Sequence, residues 1–392
     1  MSTDEMDMVD KCYKTENLDL LKKLTLVIPT HNRNYYLSRC LWYHAHFPFG
    51  QIIVADSSHE DKKKINKDTI SKVRDKFGTN IIYIESEDSD SEIYGDSIFR
   101  KWGCAIQHVN TDYSTICTDR EFTIPTIYQK SIEFLKNNSN YVCASGTRFD
   151  VIKVRKKLII KPVFTCESYN NQSPHLRLES FAKNRSIIEN LFAVYRTEDQ
   201  KYIYNNLEKN EIYDIRYGEV CLELQPLIIG RVKQFNEILR LRDNSHISNG
   251  LFRGVKKSES SNSRHPLVTN YPTKRQQCLQ SRLDSSLIQL LSEDFKKDKE
   301  IVNRLKDYSK QVIQWWMCPS HPRIYNMLYE LWDHIPYSKK IYLAKIIGIE
   351  KYKEWKTIKL YTPHIKTIID IIYGVDRGYT NDTSILDISF IK

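Results

Sequence analysis

"LTLVIPTHNR", Leu24–Arg33, is an apolar, β-branched run that reaches a proline and passes at once into Thr30, His31, Asn32 and Arg33. A buried strand therefore ends in a polar loop. Outward from it the same alternation repeats. "NYYLSRCLWYHAHF" carries apolar residues at helical spacing, "GQIIVADSS" is a second strand, "KKKINKDTISKVRDKFG" a charged helix stopped by Gly78, and "NIIYIES" a third strand. Strands alternating with helices predict an α/β, Rossmann-like architecture, a mostly parallel sheet covered on both faces.

Further along, the helix-like "SIFRKWGCAIQHV" leads to "DYSTICTDREF", read as one strand running into charge, then to the helix "PTIYQKSIEFLKNN" and the strand "YVCASGTRF". "DVIKVRKKLIIKPV" reads as two strand pieces about a basic turn, an antiparallel addition. From Ser186 to Asp243 the pattern is helical and mixed. Residues 1–22 are read as an N-terminal lead and 23–250 as the α/β domain. Residues 251–280 form a polar linker or mobile loop around "KKSESSNSRHPLVTNYPTKRQQ", and 281–392 a helical C-terminal region. Trp315, Trp316, Tyr329 and Trp332 are expected in the core of that region or in its contact with the first domain.

The 392 residues are 41% apolar, enough for a sizeable core. Lys and Arg outnumber Asp and Glu by 59 to 49, a net charge of +10, which favours an anionic partner such as a nucleotide but is too moderate to imply nucleic acid. Nine scattered cysteines show no Cys-x-x-Cys pair and no Cys/His spacing suited to zinc, so a reducing cytoplasm is expected. The acidic N-terminus lacks an apolar signal core, and nowhere do about 18 uncharged apolar residues follow one another. A soluble chain is expected, able to touch the inner face of a membrane through the basic turn.

Open α/β sheets bind ligands outside the carboxyl ends of their strands. Pro29, Thr30, His31, Asn32 and Arg33 follow the first strand, and Asp56, Ser57 and Ser58 the second. Glu85, Glu87, Asp88 and Asp90 follow the third, and Asp119, Arg120 and Glu121 the fourth. Asp56 can accept hydrogen bonds from a base N–H or a ribose hydroxyl, and Asp119 with Glu121 can hold Mg²⁺ or Mn²⁺ through oxygen. His44 and His46 suit a ligand pair poorly, since two-residue spacing separates them on a helix. There is no Walker-type loop, no Gly-x-Gly-x-x-Gly after the first strand and no Gly-x-Ser-x-Gly elbow.

"LVIPTHNRNYYLSRCL", "QIIVADSS" and "YSTICTDREFTIP", with the later "LFAVYRT" and "ELQPLIIGRVKQFNEILRLRD", resemble nucleotide-sugar glycosyltransferases of the GT-A fold. More narrowly, they resemble a family-2-like subgroup from bacterial and archaeal surface-polysaccharide clusters, over about Leu24 to Asp243. The resemblance implies a nucleotide pocket at Pro29, Thr30, Asn32, Arg33, Asp56, Ser57 and Asp119, with Asp96 and Arg100 near the nucleotide or its phosphates. It implies a metal site at Asp119, Glu121 and His246, with Arg120 against the donor sugar. The sequence departs from the pattern there, because the triplet's middle acid is Arg120 and its last is Glu121, which puts metal dependence in doubt. Glu223, then Glu219, are the expected bases for the acceptor hydroxyl. The implied partners are a nucleotide-sugar donor and a glycan or lipid-linked glycan acceptor. The alternatives are a sugar nucleotidyltransferase, which normally carries a glycine-rich phosphate loop that is absent here, and a catalytically inactive glycan-binding relative.

Overall fold

The computed structural model describes residues 17–86, 98–154, 157–162, 168–184, 190–243 and 274–317, with residue 368. A 3-10 turn, Asp19–Lys23, leads into β1 (Leu24–Thr30), buried along its whole length. α1 (Asn34–His44), β2 (Gln51–Asp56), α2 (Glu60–Phe77) and β3 (Ile81–Glu85) follow. Glu60 and Asp61 open α2 and Arg74 and Lys76 close it, the charge order its dipole favours. Gly78 ends it at φ 64°, a left-handed position where a side chain would be strained. α3 (Ile98–Gln107) returns the chain to β4 (Tyr113–Ile116), and β1 to β4 run parallel as expected.

Beyond β4 the sheet becomes mixed. "DYSTICTDREF" is two strands, because a turn closed by Glu121 N–H donating to Thr118 O at 2.9 Å separates β4 from β5 (Glu121–Thr123). α4 (Pro125–Asn137) precedes β6 (Tyr141–Val154) and β7 (Lys157–Pro162), the antiparallel addition expected about the basic turn. Next come α5 (Pro174–Asn184), β8 (Val194–Arg196), α6 (Thr197–Lys209) and α7 (Ile215–Ile229). The stretch read as helical and mixed also holds a 13-residue strand, β9 (Arg231–Asp243). Its core residues Leu239 and Leu241 alternate with Arg240 and Arg242 as in a strand, but register shifts between Gln234 and Arg240 break the two-residue period over the segment as a whole. The sheet order is β3-β2-β1-β4-β8-β6-β9-β5, with β7 on β6.

Each face of the sheet has its own core. Leu24, Leu26 and Ile28 of β1 pack with Leu37 and Leu41 of α1, Val73 of α2 and Tyr128 of α4. Val27 faces the other way, toward Trp102 of α3, Ile203 of α6 and Val220 of α7. Each such aliphatic side chain contributes about 1.5–3 kcal/mol on burial. The second core also takes Leu283 and Leu287 of α8 (Lys274–Gln289) and Leu305 and Val312 of α10 (Lys299–Met317), with the short α9 (Glu293–Lys297) between them. Asn206 on α6 donates to Ser286 Oγ at 2.7 Å and Ser286 O at 3.1 Å, pinning α8. The described C-terminal helices thus pack against α5 and α7, the helices that cover this face of the sheet, and α8 begins inside the residues read as linker. Trp315 and Trp316 lie at the end of α10; Tyr329 and Trp332 fall outside the described residues. Among those residues, no helix is long and apolar enough to cross a membrane.

Candidate functional site

Parallel pairing sets Thr30 beside Asp56 at the carboxyl ends of β1 and β2, so their loops leave side by side. The two loops are laced together. Asn32 N–H donates to Ser58 Oγ at 2.7 Å, His59 N–H donates to Asn32 Oδ1 at 2.9 Å, and His31 Nδ1 lies 2.8 Å from Ser57 O. Asn32 sits at φ 54°, a left-handed conformation that asparagine tolerates better than most residues. Pro29 lies in the buried strand below this rim. Asp56 is buried, and its carboxylate accepts from Ser58 N–H at 2.8 Å, Asn66 Nδ2 at 2.7 Å and the Tyr83 hydroxyl at 2.9 Å. Burial first, then this hydrogen bond, raises the Tyr83 hydroxyl well above its ordinary value.

The turn after β4 brings Asp119 to the same place. Its Oδ2 accepts from Thr30 Oγ1 at 2.8 Å, and Arg33, half-exposed, holds Nη1 3.5 Å from Oδ1. Burial raises the Asp119 carboxyl, and Arg33, Thr30 and Arg120 oppose that rise. Beneath the rim lies a residue that the sequence reading passed over. Lys101 of α3 is 8% exposed, and its Nζ donates to Thr30 O at 2.8 Å and Ser57 Oγ at 2.7 Å. Burial pushes its ammonium down to about 8, although Asp119 and Asp56 pull the other way. The signal was present in "IFRKWGCAIQ", where Lys101 shares a helix face with Ile98 and Ala105.

Glu121 belongs to a different neighbourhood. Across β5, β9 and β6, Glu121 pairs in register with Arg242 and Arg242 with Asp150, while Arg240 pairs with Arg148. Glu121 is fully buried; its Oε2 accepts from Thr118 N–H at 3.0 Å, and its Oε1 lies 3.6 Å from Arg240 Nε. Burial alone pushes this carboxyl up, but Arg240, Arg242, the Thr118 N–H and Arg148 outweigh it and hold it below its ordinary value. The Arg240 guanidinium also lies over the Phe192 ring, 3.9 Å from its centroid. Arg120, itself buried, accepts the Asp243 N–H at its carbonyl at 2.9 Å, and Asp243 pairs with Arg39 at 2.7 Å. Burial, then Arg242 and Arg33, lower the Arg120 guanidinium.

The strand-end residues Thr30, Asn32, Arg33, Asp56, Ser57 and Asp119 are therefore gathered together, and Arg120 is next to them. Arg100 is not: it packs on the Tyr213 ring, 3.9 Å from the centroid, and faces Glu208 at 4.0 Å. Glu223 has no exposed surface, and its Oε1 accepts from Leu191 N–H at 2.9 Å, bracing the turn that carries Phe192. Glu219, one turn earlier in α7, is partly exposed. Glu87, Asp88, Asp90, Asp96 and His246 fall outside the described residues. Asp119 is set against Thr30 and Arg33, while Glu121 accepts from the Thr118 N–H and holds Oε1 3.6 Å from Arg240 Nε with no hydrogen bond at that oxygen among the described residues, so each acid faces its own cation. Among the described residues, the three-ligand cluster that does form is Cys40, His44 and Cys117.

No protein-family model matches the sequence, and no curated protein matches it. Among solved structures, the chain is similar to S. aureus TarS 1-349, at 13% identity and TM-score 0.38, covering 77% of this chain and 93% of that one. The same protein in complex with UDP matches at 12% identity and TM-score 0.39, and in complex with UDP-GlcNAc at 11% and 0.37, each with the same coverage. Likeness at this level carries nothing about individual residues.

Proposed function

We propose that the chain is a nucleotide-sugar-dependent glycosyltransferase, moving a sugar from a nucleoside diphosphate donor to a hydroxyl of a glycan or lipid-linked glycan in surface polysaccharide or glycoconjugate synthesis. One observation carries this reading: a buried lysine fixed beneath the strand-end rim, with Arg33 at its edge and Asp119 between them. Thr30, Asn32 and Asp119 offer polar groups to the nucleotide. Lys101, Arg33 and Arg120 supply positive charge for the departing diphosphate, held in place before it develops. α1 adds the positive end of its dipole, with no acid in its first turn and no side-chain cap. No step is assigned to Mn²⁺ or Mg²⁺.

An acceptor base must come within hydrogen-bond reach of the attacking hydroxyl. Glu219 can do so from its partly exposed position; Glu223 can do so only if the Asn190–Phe192 turn moves. The test is release of nucleoside diphosphate from a panel of nucleotide sugars, with and without added glycan. The expected result is acceptor-stimulated release that Lys101→Met and Asp119→Ala both abolish. No release from any donor, combined with tight donor binding, would instead favour the inactive glycan-binding relative, for which the engagement of Glu121 by Arg240 is the supporting observation.

A further inference from the structure

α1 carries Cys40 and His44 four residues apart, hence on one helix face, and Cys117 follows β4 directly beneath them. The sequence reading found no Cys/His spacing suited to zinc, but this i,i+4 pair needs only a third ligand from elsewhere in the fold. All three side chains are fully buried, and their ligand atoms lie within 4.8 Å of one another. Three atoms so placed share a point no more than about 2.8 Å from each, close to the roughly 2.3 Å and 2.0 Å reach of zinc to sulfur and nitrogen. Cys40 Sγ is 3.4 Å from His44 Nδ1, near the roughly 3.5 Å edge of a tetrahedron with those bond lengths.

The sulfurs also converge on backbone oxygen. Cys40 Sγ is 3.7 Å from Glu121 O and 3.9 Å from Thr118 O, and Cys117 Sγ is 3.6 Å from both. His44 Nε2 lies 3.1 Å from Thr123 Oγ1, the outer partner that a metal-bound imidazole ordinarily has.

We propose that Cys40, His44 and Cys117 form a structural Zn²⁺ site, with the Glu121 carbonyl oxygen as fourth ligand. On binding, each thiol releases its proton to solvent, and the two thiolates balance the ion's charge, which suits a site without solvent. His44 exchanges its Nδ1 contact with Cys40 O, now 2.8 Å, for the metal, and Nε2–H donates to Thr123. The ion ties α1 to the turn that presents Asp119 and Arg120. It makes no contact with a donor, so the proposal stands or falls apart from the transferase reading.

The test is metal analysis of the purified full chain and of chain refolded with Zn²⁺, with Co²⁺ as the spectroscopic probe. About one zinc per chain is expected, and refolding with Co²⁺ should give an intense thiolate-to-cobalt charge-transfer band. Cys40→Ser and Cys117→Ser should lose both, while serine at the exposed Cys104 and Cys278 should change neither. If the core variants do not fold, the wild-type zinc content and cobalt spectrum decide alone. Chain that stays zinc-free after refolding and gives no charge-transfer band would overturn the site, as would zinc retained unchanged in folded Cys40→Ser and Cys117→Ser.

Discussion

The carboxyl ends of β1 and β2 and the β5–β9–β6 edge both bury charge, but they settle it in opposite ways. At the first, Lys101 is held by two neutral oxygens, and among the described residues it makes no ion pair. At the second, Glu121 is surrounded by Arg240, Arg242 and Arg148, and Asp243 by Arg39. A buried cation without a direct ion pair costs folding energy and is set to receive an anion, even with the Asp119 and Asp56 carboxylates near it. Acids already matched to arginines contribute to the fold.

The largest effect expected from this contrast is at the edge. Arg240→Met should destabilise the chain by about 3–5 kcal/mol in urea unfolding, because it leaves the Glu121 carboxylate buried without its nearest cation. Adding Glu121→Gln should recover part of that loss. A cost under about 1 kcal/mol for Arg240→Met would mean that Glu121 is not held by the arginines.

At the rim the signs should differ. Lys101→Met should weaken nucleoside diphosphate binding by about 10- to 100-fold, the range for losing a charged hydrogen-bonding partner, while leaving the melting temperature unchanged or higher. A fall in both would make Lys101 an ordinary structural residue. The pH dependence sharpens this further. The Lys101 ammonium is lowered from 10.5 to about 8 in the fold, so between those values the unfolded chain holds a proton that the folded chain has lost. Stability of the ligand-free chain should therefore rise with pH across that window, with the full burial penalty present below it. Nucleotide affinity should fall as pH rises through about 8, and Lys101→Met should flatten both profiles. Smallest of all, Arg100→Ala should change stability by no more than about 0.5 kcal/mol, since its contact with Glu208 is solvent-exposed.

Much of the first region was legible in the sequence. β1, β2 and β3 announce themselves through continuous apolar runs, and a parallel sheet then places Thr30, Asp56 and Asp119 at one end. Lys101 was missed because attention to polar strand ends overlooks a charge on an apolar helix face. The second region was not legible, for a physical reason. Glu121 meets Arg240 and Arg242 only through the β5–β9 register, a pairing between distant stretches that no local period reveals. The acid triplet's spacing is therefore compatible with a metal site on paper and with an ion-paired strand in the fold.

The most direct test of this account is calorimetric titration of UDP, GDP, CDP and TDP into the full chain in chelator-free buffer without added metal, then with Mn²⁺. The account predicts that one nucleotide binds without added metal and that Lys101→Met abolishes or greatly weakens that binding. Binding that appears only with Mn²⁺, and survives Lys101→Met, would contradict it.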